Sequence, residues 1–400
     1  MLKFDSFTNK KYKDENLTCF ANHLKKNVCE VESLVLLRNG NYFAFLLNGN
    51  KILRLTRVNY GHYDFNHKKE TLEKTLDGKN RQVEKEFNDN KIIHSQYVNK
   101  DGIEFIPKYE LFSTYNNHAF GIYNLLPGHV FSPSESLLID NNKKIDGSLF
   151  GLQLGRFLNL LHRLDISLFS CNRKKNERGN SRFHFKIMSQ IKFIEDNYGY
   201  LKFIDSSFEG LHKGLCDLIQ RTEKFVGLNK VYTHNALESG HIIADKKGLS
   251  GVVDYEHFSM SSNGWNDLSD IYGNFITIDS NIYCKFLHRI QASNLVNKSL
   301  CKDSDFYQSI GFLKKTVRLI WNSVLDCYFC PVTEKQINEF ERRQIEFVGL
   351  STRLCRITLS LIKRRNQNPL KSNMNWYKRY IKKRVKSLLK EIQFSIEFYK

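Results

Sequence analysis

Over Ser33–Arg57 the sequence SLVLLRNGNYFAFLLNGNKILRLTR places apolar residues in three short runs separated by Asn-Gly pairs. Runs rich in β-formers mark strands, and Asn-Gly supplies the positive φ angles of a tight hairpin, so this stretch predicts a three-stranded antiparallel meander. A polar stretch follows. Within NRQVEKEFNDNKII, Val83, Phe87 and Ile92 or Ile93 recur at helical spacing and predict a short helix against that sheet. EFIPKYELF and HAFGIYNLL read as two further strands, and Pro127-Gly128 breaks the chain. Residues 1–128 are therefore expected to form a small β-rich lobe, with a linker near 123–128.

Beyond that break the period becomes helical. LFGLQLGRFLNLLHRL places Leu149, Leu152, Phe157, Leu160, Leu161 and Leu164 broadly on one face. Further helices are expected through 183–227, 281–297, 306–328, 334–364 and 376–398, with Ser167–Ser181 a polar, basic loop. Two short β runs, KVYTH and GLSGVVDYE, flank HNALESGHIIADKK and predict a small hairpin that interrupts the helices. Residues 129–400 thus read as a helical lobe carrying a polar loop at 232–254. The fold class is α+β, in two unequal lobes.

Composition narrows the function. The 400 residues are 41% hydrophobic and 26% charged, enough apolar mass for a core and inconsistent with disorder or collagen. Five prolines and 22 glycines leave little material for the turns of a sandwich or propeller. No segment approaches the roughly 18 consecutive apolar residues of a membrane span, and the opening MLKFDSFTNKKYKDENL lacks an apolar signal core. With nine scattered cysteines, this points to a reduced, cytoplasmic setting. Cys327 and Cys330 form a CxxC without a second ligand pair, which reads as a coincidence on a helix rather than a zinc site.

The net charge of +19 brings nucleic acid and anionic membrane into view as partners. More than half of it lies in residues 361–400, where 12 Lys or Arg stand against 2 Glu. There Trp376, Tyr380, Ile381, Val385, Leu388, Leu389 and Ile392 recur at helical spacing between the basic residues. A basic amphipathic helix of this kind either binds an anionic surface or packs its apolar stripe on its own domain, with the charges left in water. The second is the commoner outcome.

The chemistry-bearing residues gather in the polar loop: His234, Asn235, Glu238 and His241, followed by Asp254 at the end of GVVD. A carboxylate closing an apolar strand either caps a turn or offers hard oxygens to a cation such as magnesium. At this loop the sequence resembles the aminoglycoside phosphotransferase and choline kinase-like superfamily, relatives of protein kinases. The pattern there is H-G/N-D-x-x-x-x-N, then a strand ending I-D-F/W/Y-E, then D-L. HNALESGHII and GVVDYEHFSMSSNGWNDL lie along it, closest to the macrolide phosphotransferases in having His241 at the Asn position. KILRLTR resembles the third strand with its basic residue, Arg54; QVEKEF, the helix whose glutamate pairs with it, Glu86 in preference to Glu84; YNLLPG, the segment linking the lobes; and LGRFLNLLHRLD, the helix with its Leu-His.

This resemblance spans roughly residues 30 to 275 and implies a bilobal kinase-like fold with ATP or GTP and magnesium as cofactors. It further implies phosphorylation of a hydroxyl on a small molecule. By position, His234 braces the loop, His241 and Asp254 hold the metal, Arg54 neutralises phosphates and Asp267 ties the loop to the next helix. Lys51, three residues from Arg54, faces the other side of the sheet. One position departs from the pattern: Ala236 stands where the family has the aspartate that takes the substrate proton. A positioned base is worth about 10² to 10⁴ in rate. Either transfer proceeds slowly through metal and positioning, with Glu238 a possible substitute, or the chain is a pseudokinase that binds nucleotide or a partner without transfer.

Overall fold

Asn48 and Gly49 take φ angles of 51° and 74°, the paired left-handed conformation that lets two strands meet at a two-residue turn. This turn joins β2 (Tyr42–Leu47) to β3 (Lys51–Thr56). The Asn48 side chain also accepts from the Glu32 and Ser33 amides at 2.8 and 3.1 Å and donates to the Glu30 carbonyl, fixing the entry to β1 (Leu34–Asn39). Asn116 and Asn117, at φ 47° and 65°, make the corresponding turn between β4 (Tyr109–Tyr115) and β5 (His118–Asn124). The strands form one antiparallel sheet in the order β1-β2-β3-β5-β4.

The computed structural model describes residues 15–39, 42–56, 69–101, 105–131, 145–165, 167, 182–222, 231–261, 263–276, 303–329, 339–365, and 385, 386, 389 and 392. The Gly40 turn, the loop at 168–181, the helix expected at 281–297 and most of that expected at 376–398 lie outside these residues. The chain forms two compact units, Met1–Pro127 with Gly251–Phe258, and Gly128–Ser250 with Ser259–Lys400.

In the first unit strand alternation separates two faces. Leu53 and Leu55, with Phe45, Phe120 and Ile122, pack beside Phe20, Ala21 and Leu24 of α1 (Glu15–Asn27), a helix the sequence reading did not anticipate. Arg54 and Thr56 point to the other face and reach side chains of α2 (Lys69–Asp101). Far from short, α2 runs for 33 residues; Val83, Glu86, Asn90 and Ile93 form its buried stripe, while Phe87 sits at ring distance from Tyr109 and Phe112. Its polar composition concealed the length, because among its described side chains one narrow stripe is covered.

The second unit is helical. Asp146 caps α3 (Gly147–Leu161), accepting from the amides of Ser148 and Leu149 at 2.9 and 3.1 Å. The buried arc of α3 differs from the expected one: Phe150, Leu154, Phe157, Leu158 and Leu161 are covered, whereas Leu149 and Leu152 are exposed. Gly147, Gly151 and Gly155 explain the rotation. They let α3 lie directly on α8 (Asp303–Phe329), where a Cβ at Gly151 would sit 2.6 Å from the Ile320 carbonyl oxygen. Leucine spacing alone cannot detect a contact made by absent side chains.

Helices α4 (Arg182–Asp196), α5 (Tyr198–Ile204), α6 (Ser207–Thr222) and α9 (Glu339–Arg365) enclose a second core that includes Ile187, Leu211, Leu215, Val348 and Leu354. Val385, Leu389 and Ile392 join this core. The strand pairing also corrects the expected hairpin. β7 (Val231–Thr233) pairs not with β9 (Gly248–Val252) but with β10 (Ser259–Ser261). The hairpin is formed instead by β8 (Ile242–Asp245) and β9 across Gly248 at φ 108°, and β8 also pairs with β6 (His129–Val130). Among the described residues no helix is long and apolar enough to cross a membrane.

Candidate functional site

Arg54 on β3 is the centre of a buried ionic cluster in the first unit. Its Nη1 donates to Glu86 Oε2 at 2.6 Å and Asp254 Oδ1 at 3.1 Å, and its Nη2 to Glu256 Oε2 at 2.8 Å. The Tyr42 ring lies 3.9 Å from its Cζ, at cation–π distance. The other Glu86 oxygen accepts from the Tyr109 hydroxyl at 2.8 Å and the Tyr255 amide at 3.2 Å. Glu84, two residues back, is exposed. Lys51 emerges on the opposite face, paired with Glu110 at 2.6 Å.

Three carboxylates surround one guanidinium, so the cluster carries excess negative charge. Burial, with Asp254 and Glu256 nearby, pushes the Glu86 carboxyl above its ordinary range despite Arg54. Burial would lower Arg54, but Glu86 and Asp254 more than offset it and hold the guanidinium charged. Asp254 has φ 71°, a left-handed conformation that Asp and Asn tolerate better than most residues. It opens a short 3-10 turn, Tyr255–His257, yet its side chain makes no capping hydrogen bond. The carboxylate turns to Arg54, and the side chain stays 27% exposed. Sequence reasoning missed Glu256, although the E of the I-D-x-E pattern marked the position.

In the second unit, Asn235 at φ 64° turns the chain out of β7. Asp267, in the first turn of α7 (Trp265–Ile276), fixes that turn by accepting from the backbone amides of His234 and Asn235 at 2.7 and 2.8 Å. The same carboxylate lies 3.1 Å from His162 Nε2, and His162 Nδ1 lies 2.7 Å from the Tyr328 hydroxyl. Burial alone would raise the Asp267 carboxyl; the hydrogen bond and charge of His162, with His234 behind them, hold it below the usual range.

His234 is fully buried and its ring lies 5.9 Å from that of His241. His241 Nδ1 is 2.6 Å from the Ala236 carbonyl oxygen. A carbonyl only accepts, so Nδ1 carries the proton and the lone pair of the neutral ring is on Nε2. Glu238 pairs with Arg356 of α9 and points its carboxylate there. Among the described residues no three His, Cys, Asp or Glu side chains converge as a metal centre. The oxygen donor that suits magnesium is Asp254; the His241 nitrogen suits a softer ion, and a magnesium ion takes most of its shell from phosphate and water.

Neither protein-family models nor curated protein sequences give a match. Solved structures do. A candidate aminoglycoside phosphotransferase from Ralstonia eutropha JMP134 aligns over 96% of this chain and 99% of its own, at TM-score 0.50 and 9% identity. A Plasmodium vivax ethanolamine kinase aligns over 95% and 91%, at TM-score 0.48 and 14% identity. A spectinomycin phosphotransferase solved with ADP and spectinomycin aligns over 94% and 98%, at TM-score 0.45 and 14% identity. At such identities the likeness concerns the fold. With its β-rich N-terminal part and helical C-terminal part, this chain has the kinase-like fold of the aminoglycoside phosphotransferases.

Proposed function

We propose that this chain is a phosphotransferase that uses ATP or GTP with magnesium to phosphorylate a hydroxyl of a small molecule, slowly, because Ala236 occupies the position of the proton-accepting aspartate. The observation that carries this reading is the Arg54–Glu86 ion pair at 2.6 Å with Asp254 3.1 Å from the same guanidinium nitrogen. A buried arginine held rigid by a glutamate presents a planar fork suited to phosphate oxygens. Glu86 fixes one nitrogen, and Glu256 on the other is exchangeable for a phosphate. Asp254 is the residue that would hold the magnesium, whose contribution is to neutralise charge on the phosphates. Asp267 holds the backbone of His234 and Asn235, just before Ala236, in place, which suits a loop that must position an acceptor hydroxyl.

Asp254→Asn tests the reading. Calorimetric titration with ATP in magnesium is expected to show affinity reduced about tenfold or more, because the amide is a poorer ligand for a hard cation. The loss should be much smaller with ATP in EDTA. Equal magnesium-dependent affinity in both proteins removes Asp254 from the site.

A second reading, a pseudokinase that binds nucleotide without transfer, is favoured by Ala236 itself, whose methyl group cannot accept a proton. Nucleotide binding with no phosphate transfer to any hydroxyl compound, in wild type and Ala236→Asp alike, would select it.

A further inference from the structure

Beside the loop, and wholly within the second unit, lies a cavity of about 320 Å³ lined by residues of α4, α7 and α9 together with Asn235, the neighbour of Ala236. Its apolar wall is made by Phe185, Phe193 and Leu359, of which Phe185 is 65% exposed. The polar residues are selective. Among the described residues lining it there is no carboxylate, and the two charged ones, Lys186 and Arg356, are cationic.

Lys186 is fully engaged. Its ammonium donates to Asp270 at 2.8 Å, to the Ser269 hydroxyl at 3.0 Å and to the Asn266 carbonyl at 3.2 Å, so each of its three hydrogens has an acceptor. Arg356 is not. Its guanidinium carries five N–H donors, of which one meets Glu238 among the described residues, and the side chain is 46% exposed.

Gln190 supplies the other half of the pattern. It is 4% exposed, and its Nε2 donates to the Thr352 hydroxyl at 2.7 Å. That hydroxyl gives its own proton to the Val348 carbonyl at 2.7 Å and can only accept, which fixes the amide orientation. Gln190 Oε1 is then left buried with no hydrogen-bond partner. A buried acceptor without a donor, here on a residue that lines the cavity, is costly unless a ligand or water reaches it and donates.

We infer that this cavity is an acceptor pocket for a hydroxylated compound with one apolar face and one anionic oxygen group, read by Gln190 and Arg356. Gln190 Oε1 accepts from a ligand hydroxyl, Arg356 clamps the anionic group, and the apolar face lies against Phe185, Phe193 and Leu359. A polycationic aminoglycoside is the wrong complement, since its ammonium groups would meet a guanidinium and no lining carboxylate. That the bound compound is phosphorylated rests on the phosphotransferase reading; that it binds does not.

The test measures binding without nucleotide, by calorimetry, for three probes: 4-nitrophenyl β-D-glucuronide, the matched uncharged 4-nitrophenyl β-D-glucoside, and kanamycin. The glucuronide is expected to bind about tenfold or more tighter than the glucoside, the usual worth of a charge-assisted contact, and kanamycin more weakly than both. Arg356→Gln should abolish the glucuronide preference and leave ATP affinity unchanged. Gln190→Leu should weaken both glycosides, with melting temperatures confirming that each variant is folded. Kanamycin binding tightest, no probe binding at millimolar concentration, or a glucuronide preference that survives Arg356→Gln would overturn the assignment. Binding in the expected order, with no phosphate transfer to the bound probe when ATP and magnesium are then added to wild type and to Ala236→Asp, would leave the pocket standing and remove the phosphotransferase reading instead.

Discussion

Ala236 and Asp267 bear on the proposed chemistry of the loop from opposite directions, one by what it lacks and the other by the backbone amides it holds. If the scaffold is intact apart from its base, Ala236→Asp should raise turnover by about 10² on an accepted substrate, measured as nucleotide consumed per enzyme. No gain on a substrate that demonstrably binds would mean that proton removal is not what limits the reaction. Glu238, two residues on in sequence, is engaged by Arg356. Asp267 makes a pH prediction. Its folded-state carboxyl is depressed below the ordinary 3.8, so the stability it contributes is complete above that value and disappears as pH falls through the folded-state pKa. Urea midpoints for wild type should therefore drop more steeply below pH 3.8 than those of Asp267→Asn, which should be less stable at neutral pH and flatter in acid. Parallel curves would place the acid sensitivity elsewhere.

At the scale of elements, the short-range devices were readable and the long-range contacts were not. Asn48-Gly49 specified its hairpin because positive φ is a property of those two residues. Odd spacing put Lys51 and Arg54 on opposite faces, and helical period separated Glu86 from Glu84, for equally local reasons. The pairing of β7 with β10 could not be read, since strands of three residues carry too little pattern to name a distant partner. The buried arc of α3 was misread because glycines make the contact. At Gly155 an added Cβ would collide with the Val324 carbonyl oxygen of α8. Gly155→Ala should accordingly destabilise the protein by about 1–3 kcal/mol, seen as a lower melting temperature, even though alanine is the better helix former. Unchanged or raised stability would show that α3 and α8 can separate at little cost.

For the whole molecule, the basic C-terminal segment poses the choice between a surface for anions and a piece of the core. Val385, Leu389 and Ile392 are at most 1% exposed and belong to the same core as α4, α6 and α9. Removal of residues 376–400 is therefore expected to lower the melting temperature by several degrees, burial being worth about 25 cal/mol per Å². Binding to anionic vesicles should change little. An unchanged melting temperature with lost vesicle binding would reverse the assignment. What the sequence alone determined was the α+β class, the Asn48-Gly49 hairpin and the strand face of Arg54, because these follow from residue periodicity and turn chemistry acting over a few neighbours; the choice of Glu86 as its partner rested on the family resemblance. What only the tertiary structure decided was the third carboxylate on Arg54, the glycine contact of α3 with α8, and the buried, unpartnered oxygen of Gln190, a residue that lines one cavity with Arg356. Each of these depends on which side chains from distant segments arrive at one place and on which hydrogen bonds they find already made, and no local pattern encodes that.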